Sequence, residues 1–126
     1  MKVYDLSRFL KAQERDYDVA LSEIRSGHKR SHWIWYIFPQ VKGLGFSSTS
    51  EFYGIDGLDE AKAYMENETL LKRLIEISEA LLSLESSDIG DVMGYPDDLK
   101  LRSSMTLFAE AAPKIDVFQK GSPPDL

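Results

Sequence analysis

Gly27-His28-Lys29-Arg30-Ser31-His32-Trp33-Ile34-Trp35-Tyr36-Ile37-Phe38-Pro39-Gln40-Val41-Lys42-Gly43-Leu44-Gly45 holds both histidines and both tryptophans of the chain. A basic, histidine-bearing lead runs into six consecutive apolar or aromatic residues, Trp33 to Phe38, then into Pro39-Gln40 and a glycine-punctuated loop. Six residues are too few, and too uniformly apolar, for periodicity to separate strand from helix. Aromatic residues and Ile favour a strand. The helical patterns on either side favour a buried helical turn, and a turn is the expectation here. In a strand Trp33 and Trp35 would share a face; in a helical turn they stand about 200° apart. Unequal burial is therefore expected, with Trp33 the deeper. Pro39 ends the segment in either case, because it pushes Phe38 toward extended backbone.

Upstream, Leu6, Phe9, Leu10, Tyr17, Ala20, Leu21 and Ile24 recur with a helical period. Asp5 is placed to cap that helix, and Gly27 to close it in a left-handed conformation. Gln13 falls on the same stripe and needs a hydrogen-bond partner if buried. Arg8, Lys11, Arg15, Asp16, Asp18 and Glu23 fall largely off it. Downstream, Ser47 to Ser50 offers caps for a short helix. Another helix starts at Asp56 or Gly57. Asn67 is placed to cap a second long amphipathic helix from Glu68 to about Leu84, burying Leu70, Leu71, Leu74, Ile75, Ile77 or Ser78, Leu81 and Leu82. Asp91 to Gly94 reads as one helical turn. Pro96-Asp97 suits a helix start, and the final stripe of Leu101, Met105, Phe108 and Ala112 ends at Pro113. The pattern predicts a mainly α, single compact domain over residues 1–126. It has two long amphipathic helices, several short ones, a central aromatic segment, and an irregular tail over 114–126.

Composition sets bounds. A chain of 126 residues with 43% hydrophobic content is one domain's worth and can build its own core. With no Cys, disulfides and thiolate metal sites are excluded. Neither a signal-like N-terminus nor a run of the ~20 apolar residues a membrane helix needs is seen, so a cytoplasmic location is expected. The net charge of −6 argues against a general nucleic-acid binder. The charge is unevenly placed, however. Between Ile24 and Ser50 there are four fixed cations (Arg25, Lys29, Arg30, Lys42) and no acid, leaving eleven cations against twenty-one acids elsewhere. A basic island in an acidic chain points to an anionic partner.

Several segments together resemble one family. They are Asp5 to Leu10, Ala12-Gln13, Ala20 to Gly27, Ser31 to Gln40, Gly43-Leu44-Gly45, Glu60-Ala61, Tyr95 to Leu101, and Ser103 to Phe108. The chain is similar over residues 5–108 to the family called domain of unknown function 1810. The resemblance implies a mainly helical, bacterial, cytosolic protein, and it supplies no catalytic residues. Some members carry a calpastatin label; such inhibitors are disordered and poor in aromatics, whereas this chain is periodic and core-forming. Family members usually continue into another apolar helix where this chain runs Gly121-Ser122-Pro123-Pro124. That difference leads to the expectation of uncovered core near Leu101, Met105 and Phe108, and of self-association to bury it.

The candidate site follows from the central stretch. Arg25, Lys29, Arg30 and Lys42 could hold a phosphate or carboxylate while Trp33 and Trp35 stack a ring, with His32, Tyr36 and Gln40 completing a pocket. The ligand expected is small, anionic and nucleotide-like. The alternatives are an aromatic surface that docks a protein, or a purely structural hub beside a helix end whose cations complement the dipole. His32 with Asp97 or Asp98 is the acid-base candidate. His28 and His32 stand four apart, but no carboxylate pattern joins them, so no metal site is expected, and no cofactor is called for.

Overall fold

The apolar stripe of the N-terminal segment becomes α1, Ser7–Arg25, which buries Phe9, Ala12, Gln13, Tyr17, Ala20, Leu21, Glu23 and Ile24. The structure, a computed structural model, describes residues 4–43, 47–84 and 89–120. The N-cap position falls to Leu6 and not to Asp5; Asp5 stands one residue before it, its Oδ1 accepting from the Ser7 amide at 3.0 Å and the Ser7 hydroxyl at 2.6 Å. At the other end Gly27 takes φ +83°, and the amides of Gly27 and His28 donate back to Ile24 O and Glu23 O. Those bonds satisfy carbonyls the helix end leaves open. A Cβ at Gly27 would meet nothing within 4 Å, so its cost is purely conformational. Gly27→Ala is expected to destabilise by about 1 kcal/mol, read as a shifted urea midpoint at constant slope.

The central segment is helical. α2 is the single turn Ile34–Ile37, and Trp33 precedes it at φ −119°. The tryptophans differ as expected: Trp33 is 1% exposed and Trp35 only partly buried. After Pro39 the chain makes a parallel bridge from Val41 to Ile55, with Lys42 N–H donating to Ile55 O and Ile55 N–H to Gln40 O. Gly54 is required at this crossing, because a Cβ there would lie 2.9 Å from the Lys42 Cα.

α3, Ser48–Phe52, starts at Ser47, whose side chain accepts from the Ser50 amide. α4 is Gly57–Glu66, and α5 is Glu68–Leu82 with Asn67 as its cap. Then come α6, Ile89–Met93, and α7, Asp97–Ala111. α1 packs on α5 and α2, and α4 on α7 and α5. The core carries a file of rings: Phe9 to Tyr64 at 5.3 Å, Tyr64 to Phe108 at 5.1 Å, Phe108 to Phe118 at 6.1 Å. Gln13 finds partners for its amide nitrogen, Nε2 donating to Tyr36 O and the Tyr64 hydroxyl, while its buried Oε1 is left without one. Arg8 clamps the outer edge, donating to the carbonyls of Asp5, Phe52 and Gly54 and to Glu60, whose other oxygen accepts from the Asp56 amide.

The tail differs from expectation. Asp116–Lys120 forms α8, which packs on α7 and α5 with Val117 and Phe118 buried. Leu101, Met105 and Phe108 are at most 1% exposed. The face thought to need a partner chain is therefore covered from within, which removes the stated reason for self-association. The irregular tail expected over 114–126 is corrected at residues 116–120; its remainder, 121–126, lies outside the described residues. Val117 and Phe118 supply the apolar face of this short helix, and Ile115 packs just ahead of it.

Candidate functional site

The site begins with a buried carboxylate. Glu23, in the last turn of α1, is 9% exposed although the helical stripe placed it outside. The chain doubles back after Gly27 and lays residues 28–33 over it. One Glu23 oxygen accepts from the amides of Arg30 (2.7 Å) and Ser31 (3.0 Å) and from the Trp33 indole N–H (3.0 Å). The other accepts from the Ser31 hydroxyl at 2.6 Å. Burial pushes the Glu23 carboxyl up, but these donors outweigh it and hold it down at about 2. Glu23 thus orders the basic lead and pins Trp33.

The ordered lead delivers Lys29. Its backbone N–H donates to Val92 O at 2.8 Å, tying it to α6. Its side chain is 5% exposed; the ammonium lies 2.7 Å from Asp97 Oδ2, 4.8 Å from the Trp33 ring centroid, and donates to Ser31 O. Asp97 opens α7 and also takes Lys100, at 3.4 Å from its other oxygen. The Lys100 ammonium sits 4.2 Å from the Trp35 ring centroid. Two lysines, each against an indole face, are joined through one carboxylate. Gln40 fixes the underside, its Nε2 donating to Phe38 O at 3.0 Å and Lys100 O at 2.6 Å.

The residues singled out in the sequence are therefore divided. Trp33, Tyr36 and Gln40 belong to the core. Lys29 and Trp35 come together with Asp97 and Lys100. His32, His28, Arg30 and Lys42 are exposed. Arg25 lies apart, in a cleft between α1 and α5. Asp98 accepts from the Leu99 amide, and among the described hydrogen bonds none joins Asp97 or Asp98 to His32. Tyr36 donates instead to Asp16, beside Arg15. Arg15 first, then Tyr36, holds the Asp16 carboxyl below its ordinary value. Glu23 and Lys100 are the residues sequence reasoning missed as parts of the site. The available signal for Glu23 was that it is the last acid before a long stretch with none.

Tyr95, 83% exposed, and Leu99, 48% exposed, flank this corner in sequence. Among the described residues no group of three or more His, Asp or Glu is placed to hold a metal ion. No described helix is long and apolar enough to cross a membrane.

These features define a mainly helical domain with a carboxylate-ordered basic loop and a lysine-bridged aromatic corner. Residues 3–121 match the family described as Protein of unknown function (DUF1810), and the chain belongs to that family. A similar solved structure is the crystal structure of the conserved hypothetical protein Rv1873 from Mycobacterium tuberculosis. It is 44% identical, with a TM-score of 0.89, and the match covers 91% of this chain and 82% of that one. No curated protein matches.

Proposed function

We propose that the corner between α2 and the start of α7 binds a small anionic, nucleotide-like ligand. The observation that carries this reading is the convergence of Lys29 and Lys100 on Asp97, each ammonium held against an indole. Cation–π contact and the shared carboxylate hold both charges in place before a ligand arrives, which lowers the ordering cost of binding. An incoming phosphate or carboxylate would exchange with Asp97 on Lys100, the more exposed of the two. The ring would lie on the part of Trp35 that Lys100 leaves open, with His32 and Arg30 at the rim. Trp33, Gln40 and Glu23 are spent on internal hydrogen bonds and act as the frame. No catalytic step is proposed, since Asp97 is occupied by lysines and not by His32.

Titration calorimetry across mononucleotides and dinucleotide cofactors, followed in parallel by tryptophan fluorescence, tests the reading. The expected result is saturable heat and Trp35 quenching that weaken as salt rises. Lys100→Ala should weaken binding about tenfold, the scale of one charge-assisted contact. Arg30→Glu should weaken it less, from the rim. Absence of heat and quenching with every probe would remove the ligand reading. The exposed Tyr95 and Leu99 favour a second reading, in which this surface docks an acidic protein segment.

A further inference from the structure

We infer that the cleft between α1 and α5 is a separate binding site, for a small molecule with an anionic head and a short apolar tail. The cleft is open to solvent and offers about 800 Å³, within the range of ligand sites. Arg25 from the end of α1 and Lys72 and Arg73 from α5 line it. Among the described residues no carboxylate forms an ion pair with any of these three cations. Arg73 shows the lack most clearly. Its guanidinium carbon lies 5.5 Å from the Tyr17 ring centroid, and its Nη1 is buried with no hydrogen-bond partner. A charged donor left so is costly, and an anion in the cleft would offset that cost through the rest of the guanidinium.

Two carboxylates share the cleft, Glu76 and Glu79. Glu76 is engaged, accepting the Tyr17 hydroxyl at 2.6 Å, the single hydroxyl proton being shared with Arg73 O at 3.0 Å. Three cations against two acids leave one positive charge, which matches a single carboxylate or the singly ionised form of a phosphate ester. The tail has somewhere to go. The cleft shares Ile75, Glu79 and Ser83 with a neighbouring hollow of about 550 Å³, which adds Leu82, Ile115, Val117 and the carboxylate of Asp116. Cations line one hollow, and Ile75, Leu82, Ile115 and Val117 line the next beside Glu79 and Asp116, which repel a second negative charge there; the pair suits an amphipathic anion with one charged end better than a bare one.

The test is an amide NMR titration of the whole chain with octanoate, octyl phosphate and inorganic phosphate. Saturable shifts are expected at the amides of residues 75–84 and at the Arg73 Nε–H. At least one octyl probe should bind about tenfold or more tightly than inorganic phosphate. The double variant Arg25→Gln, Lys72→Gln changes two exposed side chains, so the fold survives, and it should weaken the octyl probes about tenfold. The indole N–H signals of Trp33 and Trp35 should stay in place, which separates this site from the α2–α7 corner. Four results would overturn the inference: no saturable shift in the millimolar range, unchanged affinity in the double variant, equal affinity for inorganic and octyl phosphate, or shifts centred on the indoles.

Discussion

Glu23→Ala should lower the stability of this domain by about 4 kcal/mol, a large part of the roughly 5–15 kcal/mol that a domain has. The substitution strips the acceptor from two backbone amides and the Trp33 indole in one step. Each buried donor left unpaired costs about 1–3 kcal/mol, less where water can replace the lost oxygen. Urea denaturation followed by tryptophan emission reads both consequences: a lower midpoint, and a red-shifted native baseline as Trp33 loses its anchor. Glu23→Gln retains one acceptor oxygen and should cost about 1–2 kcal/mol. The pair of variants also carries a pH signature. The Glu23 carboxyl sits at about 2 in the folded state, below its ordinary 4.5. Its contribution is therefore complete above pH 4.5 and is lost as pH falls toward about 2. Wild type should lose stability across that window more steeply than Glu23→Gln. Identical slopes would show that the carboxylate is not what holds the loop.

Phe118→Ala should cost about 3 kcal/mol, the usual scale for emptying a buried phenylalanine site. Phe118 is fully buried and ends the ring file at Phe108. The loss has two routes. The side chain leaves a cavity, or α8 undocks from α7 and α5 and opens Phe108 to water. Hydrogen exchange separates them: undocking strips protection from residues 116–120 alone, whereas a cavity lowers protection throughout. A change within about 0.5 kcal/mol, the range of ordinary surface substitutions, would mean that α8 does not close the core.

Much of the fold could be read from spacing. The 3.6-residue stripes of α1 and α5, Asn67 as a cap and Gly27 as a stop are local signals, and local geometry honours them. Gln13 was legible as a buried polar residue because it interrupts an apolar stripe. Glu23 and Glu60 were not, because both are buried by chain that returns from elsewhere: residues 28–33 over Glu23, and Arg8 from α1 over Glu60. α8 was missed for a related reason. Five residues cannot show a period, and only the presence of Phe108 beneath makes Val117 and Phe118 a face. The site was half legible. Lys29 and Trp35 lie in the conspicuous aromatic stretch, but Lys100 joins them from α7 across tertiary space that no spacing encodes. Arg25, the first cation of the same basic island, faces another cleft because Gly27 turns the chain away.

The joints that lock the helices together also set a timetable for synthesis. Gln13 to Tyr64, Tyr17 to Arg73 and Gln40 to Lys100 are hydrogen bonds between residues 51, 56 and 60 positions apart. Each helix can form in microseconds, but these joints close long loops, and closure entropy must be overcome before any of them contributes. On a ribosome adding about 5–20 residues per second, the partner of α1 is completed only several seconds after α1 itself. Through that interval the stripe of Phe9, Tyr17, Leu21 and Ile24 has no α5 to lie against. It is the surface of the nascent chain most open to wrong association, and the one a chaperone would have most reason to hold.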